Sequence, residues 1–160
     1  VVLQNLADMY LAQDKYAEAE PLYKQTLTIY ESAFGPDDPS VVDALNSLGG
    51  LFQDQGKYSE AVPLYEKALK IEEKSLGSDH PNVATALNNL ATLQYHLGEN
   101  MKAESLYKRA LEIYEKTYGN DHPFVATVLV NLVNFYEGTG ERDKADKVAE
   151  RVKQIQSKYE

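Results

Sequence analysis

The apolar positions of the chain recur with the spacing of an amphipathic α-helix. Leu45, Leu48, Gly49 and Phe52 stand at i, i+3, i+4 and i+7, which places them in one stripe along a helix. A glycine, Gly56, then ends this helix, since a left-handed residue suits that position. A second apolar stripe follows, formed by Ala61, Leu64, Tyr65, Ala68, Leu69 and Ile71. The pattern predicts a hairpin of two helices.

The hairpin pattern repeats every 42 residues without an insertion. Leu45, Leu87 and Leu129 hold one position of the first helix in successive copies. The second helix and the connector keep the same offset. In-phase sets are Tyr23, Tyr65 and Tyr107, and Pro39, Pro81 and Pro123. Such a fixed period is the signature of a repeat architecture, in which each unit covers its neighbour.

We therefore predict eight helices in four units. Asp79 is expected to cap a helix that has Pro81 in its first turn, and His80 and His122 are expected to serve in capping and packing rather than in metal binding. The tyrosines Tyr23, Tyr65 and Tyr107 are expected in the core. The predicted helices cover 1–13, 16–33, 39–55, 58–75, 81–97, 100–117, 123–138 and 142–159, and the units cover about 1–38, 39–80, 81–122 and 123–160.

The order of residues within the unit resembles the tetratricopeptide repeat. The motif consists of Leu45, Leu48, Gly49, Phe52, Ala61, Tyr65 and Ala68. The 42-residue length and the connector Leu76-Gly77-Ser78-Asp79-His80-Pro81 resemble the kinesin light chain subclass. The resemblance implies an all-α, right-handed α-solenoid, with the first helix of each unit on the concave side. It also implies a protein-binding scaffold or adaptor.

Composition narrows the function further. The net charge of −9 disfavours nucleic acid and anionic membranes as partners, and the absence of cysteine excludes disulfides and thiolate chemistry. No catalytic motif interrupts the repeat, so we predict no enzymatic activity, no cofactor and no metal. The chain begins at Val1 inside a predicted helix, which predicts an excised part of a longer protein. A cytoplasmic location is the expectation.

The concave groove is the predicted partner-binding site. None of the 16 Lys and Arg residues lies in a predicted first helix, whereas Asp8, Asp43, Asp54 and Glu137 do. Repeat domains of this family that clamp carboxylates or acidic peptides use cations there, so we predict a neutral or basic peptide or helix as ligand. Asparagine amides could pair with a peptide backbone, and Tyr95 could anchor a side chain. The predicted groove residues are Asp8, Asp43, Asn46, Gln53, Asn88, Asn89, Thr92, Tyr95, His96, Asn131, Asn134 and Glu137.

Other interpretations of the same residues stay open. The asparagines could be repeat consensus or could pair between adjacent helices. Apolar residues at the start of the chain favour self-association through the solenoid ends, whereas others on the concave side favour a ligand. The first set is Val1, Val2, Leu3 and Leu6, and the second is Leu11, Tyr95 and Val130. A third possibility is a spacer within a longer protein.

Overall fold

The computed structural model describes residues 2–159, and it contains eight α-helices and no strand within that range. The all-α prediction is confirmed. The helices are α1 (Val2–Leu11), α2 (Tyr16–Phe34), α3 (Val42–Asp54), α4 (Tyr58–Leu76), α5 (Pro81–His96), α6 (Asn100–Tyr118), α7 (Pro123–Gly138) and α8 (Arg142–Gln156). Val1, which the sequence assigned to the first helix and to an end face, lies outside the described residues, as does Glu160.

The observed boundaries differ from the predicted ones by more than one residue at three helices. α1 ends at Leu11 and α8 at Gln156, in both cases before the predicted end. A short 3-10 turn, Pro39–Val41, precedes α3. Helix ends and first turns depend on local hydrogen bonds that hydrophobic periodicity does not register.

The prediction that Asp79 caps α5 is wrong, because the N-cap is the next residue. His80 has extended backbone, and its Nδ1 accepts a hydrogen bond from the backbone N–H of Asn82 at 3.2 Å. Proline at the first helical position makes the residue directly before it the N-cap. Asp79 instead pairs with Lys116 of α6. His122 caps α7 in the same way as His80, so the capping expected of both histidines is confirmed.

The turn inside each hairpin needs one residue with positive φ. Gly56, Gly98 and Gly140 adopt φ values of 70°, 79° and 81°. In the first repeat Asp14 holds this place with φ 56°, the only non-glycine residue with positive φ in the described chain. Aspartate tolerates the left-handed region better than most residues, which accounts for the exception.

The chain divides into two compact halves between Ser78 and Asp79. The N-terminal half contains α1–α4, and the C-terminal half contains α5–α8. In each half every first helix packs against the second helix of its own repeat. The in-phase tyrosines Tyr23, Tyr65 and Tyr107 are buried, as predicted. The assignment of all four repeats to one right-handed array stays a prediction.

Candidate partner-binding faces of the first helices

The first helices of the four repeats are α1, α3, α5 and α7, and the twelve predicted groove residues all keep some solvent exposure. None of them is buried, and their role in binding a partner stays a prediction. Exposed are Asp8, Asp43, His96, Asn134 and Glu137, and half-buried are Asn46, Gln53, Asn88, Asn89, Thr92, Tyr95 and Asn131.

Two of the asparagines bind each other between neighbouring first helices. Asn131 Nδ2 of α7 donates to Asn88 Oδ1 of α5 at 2.9 Å. In the N-terminal half, Gln4 Nε2 of α1 donates to Ser47 Oγ of α3 at 3.0 Å, and both pairs are 43 residues apart in sequence. Asn88 and Asn131 therefore pair between adjacent helices, which was one of the alternatives that the sequence left open. Each amide keeps further hydrogen-bonding capacity, because a side-chain amide has two donors and a two-lone-pair acceptor.

Two further predicted groove residues are engaged inside the C-terminal half. The Thr92 hydroxyl lies 2.8 Å from the hydroxyl of buried Tyr107 and donates to the backbone oxygen of Asn88 at 3.2 Å, so it holds α5 to α6. The Tyr95 ring meets the ring of Phe135 edge-on, with 5.4 Å between centroids. A Cβ added at Gly138 would lie 1.7 Å from the Tyr95 hydroxyl, so that glycine makes room for the ring.

Asp8 is also tied to the core of its own repeat. The Tyr23 hydroxyl donates to Asp8 Oδ1 at 2.5 Å. Burial, and then the neighbouring carboxylate of Asp8, hold the pKa of Tyr23 well above its usual range. Asp8 therefore serves the hairpin of the first repeat as well as contributing negative charge to its face.

The charge pattern expected of the first helices is also present in the observed elements. Within α1, α3, α5 and α7 there is no lysine or arginine, while Asp8, Asp43, Asp54 and Glu137 carry carboxylates. Asp43 and Glu137 are exposed. No lysine or arginine on these helices would repel an incoming cation, whereas the four carboxylates would repel an incoming carboxylate.

Sequence reasoning missed the residues of the second helices that contact these first-helix faces. In the C-terminal half, Thr85 of α5 and Tyr114 of α6 share a hydrogen bond of 2.6 Å. At the same places in the N-terminal half stand Asp43 and Glu72, and burial followed by the charge of Asp43 raises the pKa of Glu72. Placing the two 42-residue copies in phase would have shown the carboxylate pair facing across one hairpin.

Two buried acceptors of the N-terminal half lack a hydrogen-bond partner. Among the described residues these atoms are Asn46 Oδ1 and Glu72 Oε2. Asn46 is a predicted groove residue, one helical turn from Asp43. An acceptor that is buried without a donor destabilises the folded chain. Pairing either oxygen with a donor, or protonating Glu72, would remove part of this cost.

The described residues contain neither a group of three or more His, Asp or Glu side chains that could hold a metal ion nor a helix long and apolar enough to cross a membrane.

Paired helices that recur every 42 residues, each first helix packed against the second helix of its own pair, define a helical-hairpin repeat protein. The family model of the tetratricopeptide repeat matches residues 1–74, 43–116 and 83–158. The chain belongs to the tetratricopeptide repeat family. No protein of curated function matched the sequence.

Solved structures agree with this assignment. BtubC (BKLC) from P. vanneervenii is 29% identical, with a TM-score of 0.85, and the match covers 98% of this chain and 61% of BtubC. A Podosopora anserina protein of the kinesin light chain type, with nearly identical TPR-like repeats, is 28% identical with a TM-score of 0.86, over 99% of this chain and 75% of that protein. The apo form of RapI is 20% identical with a TM-score of 0.81, over 98% of this chain and 42% of RapI, and it shows the fold alone. The predicted kinesin light chain-like subclass is shared with the Podosopora anserina structure, and all three solved structures are longer than this chain.

Proposed function

We propose that this chain is a protein-interaction module whose first-helix faces bind a neutral or basic peptide segment or helix of a partner protein. Membership of the tetratricopeptide repeat family supports a protein-interaction scaffold. The observation that carries the finer proposal is the charge of the first helices, from which every lysine and arginine is absent. Activity as a scaffold rather than as an enzyme, and a cytoplasmic location, remain parts of the proposal.

The contacts within the chain change which of the predicted groove residues are the better candidates for binding a ligand. Asn88, Asn131, Thr92 and Tyr95 already hold the C-terminal half together, so removing them would disturb the fold as well as any ligand. The exposed Asp43, Asn134 and Glu137 are better candidates for direct contact. We assign selectivity for charge to Asp43 and Glu137, and hydrogen bonding to a peptide backbone to Asn134.

The test selects binding peptides from a random library displayed on phage, with the whole chain as bait. We expect enriched peptides to be neutral or net positive, and binding of the enriched peptides to weaken at higher salt, because exposed charges are screened. Enrichment of net acidic peptides would contradict the proposal. Failure to enrich any peptide would favour a spacer.

Charge-reversal variants locate the contact. Glu137→Lys in α7 is compared with Glu150→Lys in α8, an exposed position outside the first helices with the same change in net charge. Asp43→Lys is compared with Glu66→Lys on α4 in the same way. We expect weaker binding only for the first variant of each pair. Equal losses within a pair would mean that overall charge, and not the first-helix face, governs binding.

A further inference from the structure

The core tyrosines of the first and third repeats are each hydrogen-bonded to a side chain of their own first helix. The Tyr23 hydroxyl donates to Asp8 Oδ1 of α1 at 2.5 Å. The Tyr107 hydroxyl lies 2.8 Å from the Thr92 hydroxyl of α5. Asp8 and Thr92 hold the same place in their repeats. A polar side chain at this place of the first helix therefore pairs with the hydroxyl of the buried tyrosine.

In the second repeat this place is occupied by Gly50, and the buried tyrosine is Tyr65. Tyr65 is 7% exposed, and its hydroxyl makes no hydrogen bond within the described chain. A Cβ added to Gly50 would have that hydroxyl oxygen, at 3.7 Å, as its only neighbour within 4 Å outside its own stretch of helix. The hydroxyl thus points at an empty notch in the face of α3. We name this opening, formed by Gly50 and the Tyr65 hydroxyl, the Gly50 notch.

The Gly50 notch is open to solvent. Gly50 is half-buried, and the hydroxyl oxygen of Tyr65 keeps contact with solvent. The unpaired oxygens Asn46 Oδ1 and Glu72 Oε2 of the same repeat have no such contact. A ligand atom can therefore reach the Tyr65 oxygen, and a hydrogen bond there would pair a group that the chain leaves unpaired.

The charge beside the notch is negative. Asp54 lies one helical turn after Gly50 on α3, so the two residues share a face. Asp54 is exposed and takes part in no ion pair of the described chain. Burial and then the Asp54 carboxylate raise the pKa of Tyr65, so this charge acts on the phenol. The Tyr65 oxygen and the Asp54 carboxylate are therefore two hydrogen-bond acceptors beside one opening.

We propose that the Gly50 notch binds the ammonium group of a lysine side chain from the partner peptide. This inference rests on the proposed function, and it assigns a ligand group to the first-helix face of α3. An ammonium has three donors and no acceptor, so it can pair with the Tyr65 oxygen and with Asp54 together. It is also a compact charge on an unbranched stem, which suits an opening one side chain wide better than a planar guanidinium does.

The test titrates Nα-acetyl-lysine methylamide into the whole chain and follows the backbone amide signals by NMR. We expect the Gly50 signal to shift and to saturate with a dissociation constant on the order of millimolar, as for other fragments of this size. The Thr92 signal is the internal reference and should not shift, because the Thr92 side chain already pairs with Tyr107. The norleucine analogue has an apolar stem without the ammonium, so it should shift neither signal.

Three variants locate the contact. Tyr65→Phe removes the hydroxyl, Gly50→Thr supplies the side chain that the third repeat has at this place, and Asp54→Asn removes the charge. We expect each variant to bind the lysine amide about tenfold more weakly, the effect of losing a hydrogen bond to a charged group. Glu66→Gln at an exposed position of α4 makes the same change in net charge as Asp54→Asn and should leave binding unchanged. Tyr65→Phe keeps the shape of the core, so it tests the notch even where Gly50→Thr disturbs α3.

Three results would overturn the proposal. The first is a Gly50 signal that does not saturate with the lysine amide. The second is equal binding by the parent and Tyr65→Phe, since the hydroxyl would then take no part. The third is tighter binding at Gly50 by Nα-acetyl-arginine methylamide, which would remove the assignment to lysine.

Failure of this inference is distinguishable from failure of the proposed function. Library-selected peptides that bind Gly50→Thr as tightly as the parent would leave the proposed function intact and overturn the notch. A lysine amide that saturates the Gly50 signal, together with a library that enriches no peptide, would support the notch and contradict the peptide-binding function.

Discussion

In the third repeat, the hydroxyls of Thr85 and Tyr114 share a hydrogen bond of 2.6 Å between α5 and α6. At the same two places in the second repeat stand the carboxylates of Asp43 and Glu72, and Glu72 Oε2 is buried without a partner. The backbone of the two hairpins is alike, but the third repeat closes this contact with a neutral hydrogen bond. The second repeat leaves it with two acceptors and no donor.

The small residues of the two repeats differ in a related way. Gly49 and Gly50 of α3 face Tyr65, whereas Ala91 and Thr92 of α5 stand at these places opposite the third-repeat tyrosine. A Cβ at Gly49 would lie 2.8 Å from Tyr65 Cε2, so the ring fills the space that a methyl group takes in the third repeat.

The comparison separates residues that serve the fold from residues open to a ligand. In the third repeat, the side chains of Thr92 and Asn88 are hydrogen-bonded to neighbouring helices. In the second repeat, Asp43 is exposed, and a buried acceptor remains unpaired at Asn46. The second repeat therefore keeps an exposed carboxylate and an unpaired acceptor where the third repeat has paired its polar groups, although the two repeats share one consensus.

The largest expected effect tests the fit of Tyr65 against Gly49. Overpacking a core costs about 1–3 kcal/mol, while replacing a helical glycine by alanine returns about 0.5–1 kcal/mol. We expect Gly49→Ala to lower the free energy of unfolding by about 1–2 kcal/mol, measured by urea denaturation. The neighbouring Gly50→Ala is the control, since its Cβ would lie 3.7 Å from the Tyr65 hydroxyl, and it should stabilise by about 0.5–1 kcal/mol. Equal stability of the two variants would show that the ring of Tyr65 moves aside freely.

The hairpins themselves follow from sequence, because a 3.6-residue period and a fixed 42-residue offset leave little choice of fold. Burial of Tyr23, Tyr65 and Tyr107 is predictable for the same reason. The sequence prediction placed the N-cap of α5 one residue too early, at Asp79. The hydrophobic pattern does not indicate which side chain reaches the free backbone N–H groups. The extended backbone at His80 decides it.

The candidate site was predictable as a set of positions but not as a set of roles. Periodicity places Asn88, Thr92 and Tyr95 on one face, and the structure leaves all three partly exposed. Whether such a side chain is free to bind a ligand depends on its hydrogen bonds to residues 15 to 43 positions away, such as Tyr107 and Asn131. Those contacts depend on distances between helices, which a single sequence does not contain.

The next prediction concerns the carboxylate pair of the second repeat. Burial and then Asp43 raise the pKa of Glu72 in the folded chain, so Glu72 binds a proton more readily there than in the unfolded chain. The stability tied to this group is present below the ordinary glutamate pKa and is lost as pH rises through the raised pKa. At pH 7, Glu72→Gln should therefore stabilise the chain, by about 1 kcal/mol, the cost of a typical unsatisfied buried group.

The pH dependence of this gain distinguishes the mechanism. The difference in the free energy of unfolding between Glu72→Gln and the parent should shrink as the pH falls through the raised pKa of Glu72. Glu66→Gln, at an exposed position of the same helix, serves as the control and should change stability little at pH 7. A gain from Glu72→Gln that is constant with pH would mean that ionisation of Glu72 is not its cause.

A smaller effect separates the two buried tyrosines. Tyr107→Phe removes a hydroxyl that Thr92 contacts at 2.8 Å, and loss of such a bond costs about 0.5–1.5 kcal/mol. Tyr65→Phe removes a hydroxyl whose in-phase neighbour is Gly50, which has no side chain to bond. We expect urea denaturation to show a clear loss for Tyr107→Phe and almost none for Tyr65→Phe. The reverse order would place the stronger polar contact in the second repeat.

The smallest effect concerns the caps, where the two repeats again differ. Asp38 Oδ1 accepts from the backbone N–H of Ser40 at 2.9 Å, whereas His80 Nδ1 does the same for Asn82 at 3.2 Å. A carboxylate at a helix N-terminus interacts favourably with the helix dipole, whereas a neutral imidazole does not. We therefore expect His80→Asp to raise the denaturation midpoint slightly and Asp38→His to lower it. The bond from Ser40 lowers the pKa of Asp38, so the aspartate cap is present at neutral pH and is lost only as the pH falls through that lowered value. Midpoints at pH 7 that move together in the two variants would show that cap geometry, rather than charge, distinguishes the repeats.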